Sequence, residues 1–511
     1  MGLRRSALGP LASAVVVTSA ASSCALFLDP DDYVDPPSAS SSPGGSGTGA
    51  RGGDGGGGAG DCGAAAVGPR DPFLPGDAFA LGNAPFTTIT ALASRPNGDT
   101  IAAGYCTGRG TIDFALGAGQ EPCAFGAESV FVMALGSTLE PKWRLLASGT
   151  SANSHLYDVA AVTDGSDDVI VTGEVGQGLM LGDCDLAAIQ VRDIFVARVG
   201  PGGQCRWRAK PDGPDTDAAH SVAVRGADVY VAGQFAAEVQ FGDTKLVPMR
   251  SPEYFVAKLD TARGDWVWAK SLGGQAPPST RAHVAIAEDG QSVWVAGTTS
   301  SDLLDCEVDM TAGAAGFVAR VTAARGDPAA STCFTTSMDA TSAPNIVQIG
   351  GIVADGSGAV VIGSPTGGGQ THADGKTIEN GQVFVAHLTG DASVDWALSL
   401  KGAIHPQNPW SIAKTSTGHF VAAGSSYSAV VRTAGPSTGL DAYVVRLSPT
   451  GEPEWGERYG DAVTADQIIR AVDARGCGGA VVGGGFTSAL TPIQLSAPRG
   501  LQQGFAAGLH P

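Results

Sequence analysis

Basic residues are scarce in this chain: 31 Lys and Arg stand against 50 Asp and Glu, for a net charge of −19. Such a surface repels nucleic-acid phosphates and anionic lipid, so both are excluded as partners, while the charge suits a protein dissolved outside the cell. Local patterns of common catalysis are missing too: there is no GxSxG elbow, no HExxH and no P-loop. No CxxC occurs, and Cys and His do not cluster at ligand spacing, so neither a metal nor a cofactor is expected. Past the N-terminal region no apolar run is long enough to span a bilayer. Aromatic residues make up only 6% of the chain, and their placement turns out to be periodic.

What is present is a repeat. An apolar strand, a turn, a second strand ending in Gly, a variable loop, a strand centred on Phe or Tyr and a strand carrying Trp recur about every 60 residues, seven times. In the third copy these strands read Ser221–Val224, Val229–Phe235, Tyr254–Asp260 and Asp265–Leu272, with period-2 alternation and Gly/Asp turns. The Gly recurs as Gly104, Gly173, Gly233, Gly297, Gly363, Gly424 and Gly484. The third-strand aromatic recurs as Phe131, Phe195, Phe255, Phe317, Phe384, Tyr443 and Phe505. Fourth strands carry Trp143, Trp207, Trp268, Trp396 and Trp455, with Phe334 in copy four. Recurrence at one place in each repeat marks the Trp as packing residues. One four-stranded unit buries too little apolar surface to stand alone, so the pattern predicts an all-β, seven-bladed β-propeller over 76–511. Copy seven lacks its fourth strand before Pro511, and Asp77–Gly82 is the candidate replacement, an N-terminal strand completing the last blade and removing its open edge.

Segments such as VYVAGQF, YFVAKLD and WVWAKSLGG resemble the bacterial seven-bladed β-propeller repeat of secreted and surface proteins, the SBBP-like repeat. The resemblance covers about 76–511; copies four and seven depart from it most. It implies an extracytoplasmic propeller and carries no shared catalytic residues.

The N-terminus reads as an export signal over 1–23: basic Arg4 and Arg5 precede a small-residue, weakly apolar run over Ser6–Ala21. Ala21-Ser22-Ser23-Cys24 resembles a lipoprotein signal without the usual Leu. Acylation at Cys24 is expected, the alternative being ordinary cleavage near Ala20–Ser23. Residues 24–75, rich in Gly, Ser and Pro, read as a disordered tether with a root-mean-square reach of ~35–40 Å. The chain is thus expected at the outer membrane or cell surface, touching the membrane only through its lipid, or else secreted.

With Cys24 set aside, eight cysteines remain of nine. Cys106/Cys123, Cys184/Cys205 and Cys306/Cys333 each fall within one repeat, and the second and third pairs occupy parallel places, so three intra-blade disulfides are expected. Cys62 and Cys477 are left as a candidate bridge across the ring closure.

The most suggestive polar grouping lies where each fourth strand connects to the next first strand. His155, His220 and His283 fall at nearly matching places in successive connections; His405 and Trp410 lie in a later one, and Asp215, Asp217, Asp461 and Asp466 in others. These residues are candidates for a channel-mouth site for a polar ligand or cation, against the plainer reading of exposed or strand-capping residues. Three functions remain open. One is a monomeric binding or scaffold module for an unknown envelope protein or polysaccharide. Another is an extracellular glycan lyase or hydrolase, marked by convergence of His, Tyr, Arg and carboxylates in the channel. The third is a purely structural envelope protein. No catalytic residue is assigned.

Overall fold

The computed structural model describes residues 78–509 less short segments between strands, of which 337–344, 402–409 and 427–439 are the longest. Cys24, Cys62, His405, Asp461 and Cys477, with the expected signal and tether, lie outside the described residues. Among the described residues there is no α-helix, and therefore none long and apolar enough to cross a membrane.

Strand pairing yields an all-β, propeller-type architecture. Among the described residues the strands form five four-stranded antiparallel sheets and one ten-stranded sheet that contains two further four-stranded antiparallel runs; these seven runs are numbered one to seven in chain order and called sheets below. Sheet three runs Ala218–Arg225, Asp228–Phe235, Glu253–Asp260, Trp266–Gln275, each strand paired to the next. The sequence-derived bounds are short by up to three residues, except that Asp265 lies just outside the fourth strand, because the pairing continues through alanines, glycines and polar residues that lack strand propensity. First strands are Phe86–Ser94, His155–Ala161, Ala218–Arg225, His283–Ile286, Asn345–Asp355, Ser411–Lys414 and Gln467–Ala474. Each lies beside the next, and the seventh returns to the first, so the sheets close on themselves. Sheets four and five are also joined by hydrogen bonds, through a short parallel pairing of Gly313 and Ala314 with Asn345 and Ile346.

The N-terminal strand Ala78–Ala80 supplies the fourth strand of sheet seven, pairing antiparallel with Gln503–Leu509. Leu81 N–H donates to the Gly504 carbonyl at 2.8 Å and Thr87 N–H to the Gln502 carbonyl at 2.8 Å, extending the seam.

The two repeating markers are one structural device. Every marker glycine is the cross-strand partner of its third-strand aromatic: Gly104 of Phe131, Gly173 of Phe195, Gly233 of Phe255, Gly297 of Phe317, Gly363 of Phe384, Gly424 of Tyr443 and Gly484 of Phe505. A Cβ on Gly233 would meet the Phe255 ring at 2.7 Å and collide with the Ala218 carbonyl of the first strand. Opposite the glycines of sheets one, two, three, five and seven, the first strand carries a bulge, one extra residue against the ladder. The missing side chain lets first strand and aromatic ring close in on both sides of the second strand.

Fourth-strand tryptophans join neighbouring sheets. Trp207 Nε1 donates to the Thr261 carbonyl at 2.7 Å and Trp268 Nε1 to the Ala323 carbonyl at 3.2 Å, each acceptor lying in a turn of the following sheet. Gly264, Gly326 and Gly451, all at positive φ in those turns, lie against Trp207, Trp268 and Trp396, where a Cβ would sit 2.5–2.7 Å from the ring. Apolar clusters accordingly mix adjacent sheets, as where Val196 and Trp207 pack with Val231 and Phe255.

Much of the variable length between second and third strands forms small hairpins, such as Val239–Phe241 with Thr244–Leu246. The three intra-sheet disulfides are present, with Cα–Cα distances of 5.8 Å for Cys106–Cys123, 4.8 Å for Cys184–Cys205 and 5.4 Å for Cys306–Cys333. Cys184–Cys205 and Cys306–Cys333 tie the excursion after strand two to the fourth strand, alongside the buried Leu181, Leu186 and Leu303 of the same excursions. Three such bonds fit an extracytoplasmic location.

Candidate channel-mouth site

A cavity of about 400 Å³ runs between the first strands and is lined by all seven, among them Ser94, Asp158, Ser221, Ile352, Ile412 and Asp473. A second cavity of about 540 Å³ shares Tyr157, His220, Arg281 and His283 with it, and so opens from it at the end where the first strands begin. Its further lining includes Glu174, Arg192, Gln234 and Thr280.

The three histidines reach this region from first strands two, three and four at different levels. His155 pairs with Glu174, one residue past marker Gly173. His220 is the extra residue of the bulge beside Gly233, which aims it away from the ladder. His283 pairs with Ala296, one residue before marker Gly297, in a strand that shows no bulge. Tyr157 is the equivalent bulge residue of sheet two, and its ring meets His220 edge-on at 5.1 Å and stacks with His155 at 5.7 Å.

Charge is arranged around these rings. Glu174 is buried and pairs with Arg192 at 2.8 Å and His155 at 3.5 Å. Arg281, half-buried, lies 4.6 Å over the Tyr157 ring and forms no ion pair among the described residues. Burial, then the Glu174 charge, raises the Tyr157 pKa and keeps its hydroxyl protonated. Burial, then Arg281 and His283, holds His220 well below the ordinary histidine range. Burial and then Arg281 lower His283 to about 4, against the opposing pull of the Ile349 backbone. Both histidines are therefore neutral at pH 7. His220 Nδ1 accepts the Ala282 N–H at 3.3 Å, which leaves Nε2 carrying the proton and acting as a donor. Counting Glu174, Arg192 and Arg281, the pocket holds one net positive charge within a strongly acidic protein.

Trp410 is not part of this mouth. It is fully buried in sheet six, its Nε1 donating to the Ser425 carbonyl at 3.2 Å. The space left by Gly424 is filled by its indole, which stacks with Tyr443 at 6.5 Å. Asp217 is buried and caps the Ala236 N–H at 2.8 Å. Asp466 accepts at its carbonyl from the Thr487 hydroxyl at 3.2 Å, as a strand-end contact. Among the described residues no three His, Cys, Asp or Glu side chains converge as a metal shell would require.

Sequence reasoning missed Tyr157, Glu174, Arg192 and Arg281. Glu174 directly follows a marker glycine, and that position, facing the start of the first strand, was the available signal. Tyr157 and Arg281 gave none, because the bulge that turns a strand residue toward the channel leaves no mark in the pattern.

No family model and no curated protein matches this chain. Among solved structures, a quinohemoprotein alcohol dehydrogenase of Pseudomonas putida HK5 aligns over 84% of this chain and 76% of its own, at 9% identity and a TM-score of 0.35. That of Comamonas testosteroni aligns over 85% and 76%, at 8% identity and 0.38. A DUF4221-family protein of Bacteroides vulgatus aligns over 85% and 99%, at 7% identity and 0.32. At such scores these alignments carry no argument about function, and the propeller-type assignment rests on this chain's own strand pairing.

Proposed function

We propose that this protein is an exported seven-bladed propeller, tethered to the envelope through acylated Cys24 and residues 24–75, that binds a segment of an envelope polysaccharide at one end of its channel. The observation carrying this reading is the convergence of Tyr157, His220 and His283 from three consecutive first strands, with Arg281 just before the third of them, onto one cavity of about 540 Å³, His155 standing behind as the ring stacked on Tyr157. That volume falls within the ordinary range of small-ligand pockets. The lining mixes hydrogen-bonding groups with aromatic rings, as polyol recognition needs. Disulfides and net charge support export.

Native mass measurement of protein extracted from the envelope, wild type and His155→Ala/His283→Gln, tests this. The expected wild-type mass is a chain starting at Cys24 with acyl groups, three or more disulfides and a retained saccharide that the variant loses. An unacylated protein with no saccharide in either form overturns the reading.

A second reading, a glycan lyase or hydrolase, is favoured by neutral His283 lying beside Arg281 and protonated Tyr157. A basic nitrogen and a cation are then available together, beside a Tyr157 hydroxyl that hydrogen-bonds Glu174. Shortening of the retained saccharide on incubation with wild type, but not with His283→Gln, distinguishes it.

A further inference from the structure

We infer that the ligand's recognition handle is a single carboxylate, the uronic-acid group of the polysaccharide, seated on Arg281. This rests on the channel-mouth binding reading and names its substrate class.

The argument begins with Arg281. Arg192, the other cation of the pocket, already shares Glu174 with His155. Arg281 has no carboxylate partner among the described residues, although acids far outnumber bases in this chain. Its guanidinium is held over the Tyr157 ring, which fixes the plane of its donors while leaving them unspent. A planar fork of N–H donors matches a carboxylate in shape as well as charge.

His220 adds a second donor from the neighbouring first strand. Its Nδ1 is taken by the Ala282 N–H, so the neutral ring presents Nε2–H. A donor suits an anion or a hydroxyl oxygen and is the wrong polarity for a cation. The charge balance narrows the class further. With Glu174 paired in the same pocket, one positive charge is left over, which a monoanion neutralises and a phosphate dianion would overshoot, with Glu174 repelling the excess. Against the net charge of −19 of the whole chain, Arg281 is a local attractor for an anionic group.

The test is calorimetric titration of the full chain with glucuronic-acid oligosaccharides and with the same oligosaccharides as methyl esters, which remove the charge and keep the ring. Expected results are a loss of affinity of at least about tenfold on esterification, and an equal loss in Arg281→Gln for the acid but not for the ester. Arg281→Lys should retain part of the difference, and both Arg281 variants should melt within a few degrees of wild type, since Arg281 is half-buried and forms no ion pair among the described residues. Inorganic phosphate should not displace the acid. Equal binding of acid and ester, lost together in His155→Ala/His283→Gln, overturns the carboxylate handle and leaves the binding site standing. Acid binding untouched by any of these variants places recognition elsewhere and overturns both. Absence of any saccharide binding overturns both as well.

Discussion

At the scale of single residues, the channel region holds polar groups in states that burial dictates. Asp217 is driven up to about 7, by burial first and then by the nearby Asp193 and Asp215 charges, against the Ala236 N–H that favours its carboxylate. Its folded pKa lies above the ordinary 3.8, so folding takes up a proton. The stabilisation is fully present below about pH 4 and is lost as pH rises through about 7. Wild type should therefore lose several degrees of melting temperature between pH 5 and 8 relative to Asp217→Asn, which is neutral throughout and keeps an acceptor for Ala236. Parallel melting curves across that range would remove Asp217 as the cause. Neither this state nor the donor role of His220 was legible in the sequence. Both depend on which side chains and backbone amides close over the group: Ala236 and Asp193 from neighbouring strands of the same region for Asp217, and Ala282 with Arg281 and His283 from the next sheet for His220.

At the scale of the strand pair, the marker glycine and its aromatic form the unit that repeats. Both were legible because selection for close approach leaves few choices: only Gly lets first strand and third-strand ring meet across the second strand. Their meaning was not legible, since two columns of equal period do not say that they face each other. Gly233→Ala should cost at least about 2 kcal/mol, typical of overpacking a closed core. Phe255→Leu should not rescue it, because the Ala218 carbonyl is the nearer obstacle. Urea denaturation of the single and double variants decides this; full rescue by the smaller side chain would show that the ring alone sets the requirement. The paired cysteines belong to the same scale. Cys184 and Cys306 were matched to Cys205 and Cys333 by parallel position, and that logic held because each loop excursion returns to its own sheet.

At the scale of the whole molecule, stability is shared around the closed series of first strands. The seam of strand Ala78–Ala80 on Gln503–Leu509 joins the N-terminal strand to the C-terminal one, and without it Gln503–Leu509 would be an open edge. Removal of residues 1–82 should lower the melting temperature of the entire domain in one cooperative transition and promote association through that edge. Calorimetry with light scattering reads both. Separate early melting of sheet seven alone would mean that the sheets are not energetically coupled through closure. The channel site is itself a product of this scale, since His155, His220 and Arg281 come together only when three successive sheets lie side by side.

The amino-acid sequence by itself determined the all-β class, the pairing of repeated glycine with repeated aromatic positions along the chain, the replacement strand at the N-terminus and the three disulfide pairs. Each of these is a short-range or periodic requirement written in residue type and spacing: strand alternation, glycine where backbones approach, cysteine where a loop returns. Only the tertiary structure decided what the channel mouth contains. It buried Trp410 against Gly424, turned Tyr157 and His220 out of the ladder through a bulge, and left Arg281 over the Tyr157 ring with no carboxylate partner among the described residues. Those outcomes depend on one-residue shifts of register and on neighbours far apart in the chain. A pattern of period two or period 60 is blind to both.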